Sequence, residues 1–179
     1  MKYVALLRGI NVGGNNKVDM KTLKVSFESL GLKDVVTYIN TGNIIFTDSN
    51  RVPDELVRQL EAMMQRDFGL EIKVLLRTQA QIDGVMTALP QEWTNDKDMK
   101  SDVMFLWDEV DGPGVKGLLT IKDDIDTVIY ASGAILWSVD KVNQSESGMT
   151  KLVGTKLYKQ MTVRNVNTFR KIHELMGVS

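Results

Sequence analysis

Residues 35–47 read VVTYINTGNIIFT and decide the fold, because two apolar runs flank a short polar turn. Valine, isoleucine, threonine, tyrosine and phenylalanine favour strands, whereas asparagine and glycine favour tight turns. The stretch therefore predicts an antiparallel hairpin with strands over 35–39 and 44–47. A second stretch, YASGAILW at 130–137, matches YINTGNIIF at 38–46 with one residue deleted. The repeated hairpin indicates that the chain contains two similar halves.

The elements around the first hairpin follow the order βαββαβ. An apolar strand over 3–7 leads through a loop to a helix over 20–30, and a second helix over 53–68 leads to a strand over 72–76. Both helices carry apolar residues at helical spacing, and each is followed by a glycine that favours its end. This order is typical of the ferredoxin-like fold, in which two helices cover one face of a four-stranded antiparallel sheet.

The second half is predicted to follow the order βαββα. Its strand over 103–107 and a short helix over 114–121 precede the second hairpin. Two closing helices are expected after that hairpin, over 149–160 and 166–176, so a helix stands where the first half has its last strand.

We therefore expect an α+β protein of two tandem ferredoxin-like subdomains with antiparallel sheets and extra C-terminal helices. The first subdomain is predicted over residues 1–77. A connecting helix and a polar linker are expected over 78–101. The second subdomain, with its C-terminal helices, then occupies residues 102–179.

Composition limits the classes of function. The chain has 179 residues, of which 43% are hydrophobic and 25% charged, so it has enough apolar side chains for a folded core. The lack of cysteine excludes disulfides, thiolate metal sites and a cysteine nucleophile. No apolar run reaches the roughly 18 residues of a membrane span. We expect a cytoplasmic protein that associates with no membrane, metal or cofactor.

Catalytic motifs are scarce. His173 is the sole histidine and lies beside the apolar stripe of the predicted last helix, where we expect it to pack at the edge of the core. The Gly-x-Ser-x-Gly and His-Glu-x-x-His patterns are both missing, which argues against a serine triad and a zincin. Acidic residues cluster over 108–111 and 123–126, where we expect solvated turns. Whether the chain is an enzyme stays open.

The loop at residues 8–17, RGINVGGNNK, is the most informative candidate site. It joins a strand to a helix, and its glycines allow backbone amides to approach an anion closely. Arg8 and Lys17 add positive charge at its two ends. Neither the Gly-x-Gly-x-x-Gly nor the P-loop pattern is met. The alternative is a tight loop whose asparagines bond their own backbone.

Three stretches carry a resemblance to a known family: LLRGINVGG at 6–14, VTYINTGNIIF at 36–46 and TVRNVNT at 162–168. Together they resemble the bacterial family catalogued as Domain of Unknown Function 1697, whose C-terminal signature is Arg-Asn-x-Asn-Thr. The resemblance implies two ferredoxin-like subdomains. It implies no activity, because the family has none established.

Three functions remain open. The first is binding of a small anionic ligand, such as a phosphorylated metabolite, at the glycine-rich loop and the two other motifs. The second is nucleic-acid binding by residues 141–173, which carry seven basic and one acidic side chain, whereas residues 92–140 carry four basic and eleven acidic ones. The third is a structural or subunit-interaction role.

The predicted ligand-binding residues come from the three motifs, which we expect to converge on one cleft. In particular, Arg8 or Asn11 is expected within direct or one-water reach of residues 164–168. The full set comprises Arg8, Gly9, Asn11, Gly13, Gly14, Asn16, Lys17, Thr41, Gly42, Asn43, Arg164, Asn165, Asn167 and Thr168.

Overall fold

A computed structural model describes residues 1–177 and shows a mixed α+β protein with two four-stranded antiparallel sheets. The chain divides into two compact units. The first comprises residues 1–79 together with the end of the chain from Glu174, and the second comprises residues 80–173.

The first unit contains a sheet with the strand order β2-β3-β1-β4, in which all neighbours are antiparallel. Two helices join these strands. The elements are β1 (Lys2–Leu7), α1 (Met20–Ser29), β2 (Lys33–Tyr38), β3 (Asn43–Thr47), α2 (Pro53–Phe68) and β4 (Val74–Thr78).

The core of the first unit lies between one sheet face and these two helices. Alternate residues of β1 point to one face, and Ala5 and Leu7 belong to this core with Phe27 of α1 and Leu60 of α2. The Phe27 ring also packs edge-on against Phe46 of β3, with centroids 5.7 Å apart. The apolar stripe of each helix is thus buried against the sheet.

The second unit contains a sheet with the strand order β6-β7-β5-β8, again antiparallel throughout. This order is equivalent to that of the first sheet, because β5, β6, β7 and β8 take the places of β1, β2, β3 and β4. The elements from residue 79 onward are α3 (Gln79–Ala88), β5 (Met99–Leu106), β6 (Asp126–Ala131), β7 (Ala134–Asp140), β8 (Met161–Asn165) and α4 (Val166–Gly177). Gln79 and the end of α4 from Glu174 belong to the first unit.

Residues 141–160, here called the strap, connect β7 to β8. They contain three short 3₁₀ helices, over Lys141–Glu146, Gly148–Lys151 and Tyr158–Gln160. Leu152 and Leu157 of the strap pack in one core with Met104 of β5 and Trp137 of β7. The strap therefore covers a face of the second sheet.

The predicted helix over 149–160 is wrong. Gly154 adopts a left-handed φ of 90°, and the neighbouring residues Thr150, Val153 and Thr155 have poor helix propensity. Residues 161–165, for which no element was predicted, form strand β8. The second half therefore has four strands, and the predicted order βαββα misses the last one. The predicted helix over 114–121 is a 3₁₀ helix, Pro113–Leu118.

The two hairpins make the same hydrogen bond to a neighbouring strand. The Leu7 amide at the end of β1 donates to the carbonyl of Gly42, and the Leu106 amide at the end of β5 donates to the carbonyl of Gly133, both over 2.9 Å. Both glycines have a φ of 86°, which glycine adopts without a steric penalty. Within residues 1–177, no helix has the length and apolar character that crossing a membrane requires.

Candidate functional site

Asn11 holds the base of the glycine-rich loop together. Its side-chain amide donates to the carbonyl of Val18 over 3.0 Å and to that of Asn40 over 2.8 Å. Its carbonyl oxygen accepts from the Val18 amide over 2.8 Å. Asn16 adds a bond from its side-chain amide to the carbonyl of Gly9. These bonds fix the loop and tie it to the first hairpin.

The tip of this loop is a miniature hairpin. The Asn15 amide donates to the carbonyl of Val12 over 2.9 Å, and these two residues form an isolated β-bridge. Between them, Gly13 and Gly14 have left-handed φ values of 57° and 79°, as a two-residue turn with positive φ at both central positions requires. All residues from Val12 to Lys17 are exposed, so the tip offers backbone and one lysine to solvent.

The start of α1 is already occupied by a carboxylate. Asp19 caps the helix by accepting from the amide and the hydroxyl of Thr22, over 2.8 and 2.9 Å. These bonds lower the pKa of the Asp19 carboxyl. The cap places a negative charge at the N-terminus of α1, which disfavours a further anion there.

The second motif, Thr41 to Asn43, shapes the first hairpin. The Asn43 side chain is fully buried, and its amide donates to the carbonyl of Tyr38 and to the hydroxyl of Thr41. A Cβ at Gly42 would lie 2.8 Å from atoms of Leu7 and Ile10. Of the three predicted residues, Thr41 alone is exposed.

The third motif, residues 164–168, joins β8 to α4. Arg164 is buried, and its guanidinium donates to the Thr162 hydroxyl and the Val163 carbonyl, both over 2.9 Å. Burial lowers the pKa of Arg164 to about 10. The Asn165 side chain accepts from the Thr168 amide, which satisfies an orphan donor at the helix start.

The remaining predicted residue of this motif, Asn167, contacts a segment that is distant in sequence. The Asn167 amide donates to the carbonyl of Asn95 over 2.8 Å. Residues 8–17 and 40–43 belong to the first unit, whereas residues 164–168 belong to the second. The predicted approach of Arg8 or Asn11 to the third motif stays a prediction.

One acidic residue differs from its expected surroundings. Asp123 and Asp124 are exposed, as expected of a turn, but Asp126 is buried. Its carboxylate accepts from the Trp137 indole, the Ser147 hydroxyl and the Gly148 amide. Although burial acts to raise the pKa of Asp126, hydrogen bonds led by the one from Ser147 hold it below its usual value.

The second unit contains a cavity that no sequence motif indicated. It has a volume of 310 Å³ and lies between β5, β8 and the strap. Lys100 and Asp102 of β5 line it, and their side chains form an ion pair over 2.9 Å. The available signal was the alternation of Lys100, Asp102 and Met104, which places all three on one strand face. Lys100 had been assigned to the polar linker, and Asp102 had been placed before the predicted strand over 103–107.

Among residues 1–177, the acidic and histidine side chains include no group of three or more arranged to hold a metal ion. His173 is partly exposed, with its Nε2 atom 3.0 Å from a carboxylate oxygen of Asp83.

Comparison with known proteins confirms the family resemblance. The family described as "Protein of unknown function (DUF1697)" matches residues 1–137. Among solved structures, the conserved bacterial protein SP0830 from Streptococcus pneumoniae is similar, with a TM-score of 0.83 and 31% sequence identity over 98% of each chain. No curated protein matches the sequence.

Proposed function

The chain belongs to the DUF1697 family of proteins of unknown function, and we propose that it binds a small anionic molecule, such as a phosphorylated metabolite, at the tip of the glycine-rich loop. The proposed contacts come from the backbone of Gly13 and Gly14 and from the side chain of Lys17. Arg8 contributes positive charge at the other end of the loop.

The observation that carries this proposal is a loop that is fixed at its base and open at its tip. Asn11 and Asn16 hold the base by hydrogen bonds, whereas no neighbouring atom lies within 4 Å of a Cβ built at Gly13 or Gly14. A site whose backbone is already ordered loses less conformational entropy when a ligand binds. Glycine amides at such a tip allow close approach by an anion.

The charges around the loop favour the same ligand class. Lys17 is exposed next to the tip, and an exposed ammonium supplies a mobile donor to a phosphate oxygen. Asp19 works against binding at the helix start, which restricts the proposed site to residues 12–17. Of the other predicted residues, Thr41, Gly42 and Asn43 shape the hairpin that Asn11 ties to the loop. The hydrogen bonds described above for the third motif lie within the second unit.

A thermal-shift titration with inorganic phosphate, pyrophosphate and a sugar phosphate tests the proposal. Lys17→Glu is the test variant, and Lys116→Glu is its matched control, because Lys116 is an exposed lysine in the second unit. At least one of the three anions is expected to raise the melting temperature of the wild type. Lys17→Glu is expected to abolish this rise, whereas Lys116→Glu should retain it. The proposal fails if none of the anions acts, or if both variants respond alike.

Nucleic-acid binding is the second candidate, and exposed lysines on the strap favour it. Lys151, Lys156 and Lys159 are all exposed, as phosphate contacts require. Retention on single-stranded RNA that falls with salt and is lost when all three become glutamate would support this alternative. Unchanged elution of wild type and triple variant at low salt would remove it.

We further propose that the two halves are a tandem duplication of one ferredoxin-like unit, joined by the segment between β4 and β5. The identical strand order of the sheets and the equivalent hydrogen bonds of Gly42 and Gly133 support this origin. In an experimental structure, β1 to β4 should superimpose on β5 to β8 with the same connections. A different path of the chain between the strands would contradict a duplication.

A further inference from the structure

The cavity beneath the strap has the size and lining of a ligand site. Its 310 Å³ volume falls at the lower end of the roughly 300 to 1,000 Å³ that small-molecule pockets occupy. Met104 and Val163 form its sheet side, and Met149 and Leu152 form its strap side. A mostly apolar pocket with a few polar groups is the usual composition of such sites.

Two charged side chains, Lys100 and Asp102, lie among the apolar side chains of the cavity lining. The Lys100 ammonium lies 2.9 Å from a carboxylate oxygen of Asp102, and the side chains are 27% and 7% exposed. Removing such a pair from water costs free energy that its attraction often fails to recover, and apolar replacements are frequently as stable. The pair is therefore poorly explained by stability alone, whereas polar groups in a cavity fix the orientation of a ligand.

The strap that roofs the cavity is firmly attached at one point. The Gly148 amide and the Ser147 hydroxyl both donate to the buried Asp126 carboxylate. The Thr150 hydroxyl, which lines the cavity, donates to the Ser147 carbonyl over 2.8 Å. The cavity thus has a defined roof as well as a sheet floor, and a ligand would not have to create it.

The charges of the lining specify the chemistry of the ligand. Of the described side chains that line the cavity, Lys100 and Asp102 carry the charges, and these cancel. A ligand with a net charge would leave one charge uncompensated in an apolar site, which is costly. A neutral polar group that has a hydrogen-bond donor beside an acceptor can bond to both Lys100 and Asp102.

We propose that the second unit binds a small neutral molecule with an apolar body and one amide-like head in this cavity. The head accepts a hydrogen bond from Lys100 and donates one to Asp102, while the body packs against the methionines of the lining. The site lies in residues 80–173 and does not depend on the function proposed for the glycine-rich loop.

Methyl NMR of the intact protein, labelled at its methionine methyl groups, tests this site directly. Met104 and Met149 line the cavity, whereas Met63 and Met64 lie in the core of the first unit and serve as internal controls. Peaks are assigned with Met104→Leu and Met149→Leu. The probes are benzamide, benzoate and benzylammonium, which share a ring and differ in the charge of the head.

Benzamide is expected to shift the Met104 and Met149 peaks saturably and to leave those of Met63 and Met64 unmoved. Benzoate and benzylammonium are expected to bind about tenfold or more weakly, equivalent to about 1.4 kcal/mol. No saturable shift of Met104 or Met149 with any probe would overturn the site. Equal binding of benzoate and benzamide would overturn the neutral ligand class.

Two single substitutions sharpen the test, because each unbalances the pair in a known direction. Asp102→Asn is isosteric and leaves the Lys100 charge, so benzoate should become the preferred probe. Lys100→Met removes a partly exposed ammonium and leaves the Asp102 charge, so benzylammonium should become preferred. The pair would be shown to take no part in recognition if a folded variant kept the wild-type order of the three probes.

Discussion

Gly148 lies where the strap passes against the loop before β6. A Cβ at this position would lie 1.7 Å from the carbonyl oxygen of Thr120, so any side chain has to displace backbone. Its amide also donates to Asp126 over 2.9 Å. Gly148→Ala is therefore expected to lower the free energy of unfolding by about 3 kcal/mol or more, measured by urea denaturation.

Gly84 provides the matched control for this substitution. It lies inside α3, and no neighbouring atom approaches a Cβ built there within 4 Å. Alanine is a better helix former than glycine, so Gly84→Ala is expected to raise the free energy of unfolding by about 0.5 to 1 kcal/mol. Similar losses in both variants would show that the close approach at Gly148 is not the cause.

The ionised side chain of Asp126 is expected to stabilise the second unit. Asp126→Asn keeps the size of the side chain but removes the charge and turns an amide donor toward the donors of Trp137, Ser147 and Gly148. At neutral pH the substitution is expected to lower the free energy of unfolding by about 2 to 3 kcal/mol.

The pH dependence of that difference follows from the lowered pKa of Asp126. A carboxyl whose folded pKa lies below its unfolded value stabilises the protein above the unfolded pKa, and this contribution is lost as the pH falls through the folded pKa. The stability difference between wild type and Asp126→Asn should be full at pH 7 and shrink below about pH 4. Urea denaturation at a series of pH values measures it, and a constant difference would contradict the assignment.

Ile39 adopts a conformation that its side chain disfavours. Its φ is 48° and it is 43% exposed, and a β-branched residue at positive φ is strained. Asparagine tolerates this region. Ile39→Asn is therefore expected to raise the free energy of unfolding by about 1 kcal/mol. A drop in thermal stability would mean that contacts of the isoleucine outweigh the strain.

At the scale of elements, the start of α1 links helix stability to the proposed anion site. Asp19→Ala removes the cap, which should lower the melting temperature. The same change removes a negative charge close to the loop tip and frees the Thr22 amide, so phosphate should bind more tightly. Calorimetric titration with phosphate checks this combination. Weaker phosphate binding by a folded Asp19→Ala variant would contradict the account.

The helices and hairpins were predictable because their signals are local. Apolar periodicity and end signals predicted α1 and α2, and the turn chemistry of residues 40–43 predicted the first hairpin. The strap and β8 were not predictable from the same rules. The strap is held by tertiary contacts of Asp126, and β8 is an edge strand that pairs with β5, which is distant in sequence.

The candidate site was predictable in part. The alternative of a tight loop expected its asparagines to bond the backbone. Asn16 does bond Gly9 within the loop, and Asn11 bonds Val18 directly after it. The sequence did not distinguish Asp126 from its exposed neighbours, because burial is decided by the packing of Trp137 and the strap. The Lys100 and Asp102 pair was missed because the strand begins earlier than its apolar run.

At the scale of the whole molecule, two sheets of the same strand order are covered in different ways. One face of the first sheet packs against two amphipathic α-helices. One face of the second sheet is covered by the 3₁₀ helices and turns of the strap. Long helices fill a sheet face with interdigitating side chains, whereas the short segments leave the 310 Å³ cavity. The proposed ligand sites therefore differ between the units.

Anion binding at the tip of the glycine-rich loop can be observed residue by residue in a two-dimensional ¹⁵N–¹H NMR titration with inorganic phosphate. Each backbone N–H group gives its own peak in this measurement, so the peaks that shift show which residues lie at the binding site. Binding at the tip should produce saturable shifts concentrated at Gly13, Gly14 and Lys17, and these shifts should be lost in Lys17→Glu. No saturable shift in residues 12–17, or shifts concentrated on the lysines of the strap, would contradict binding at the tip.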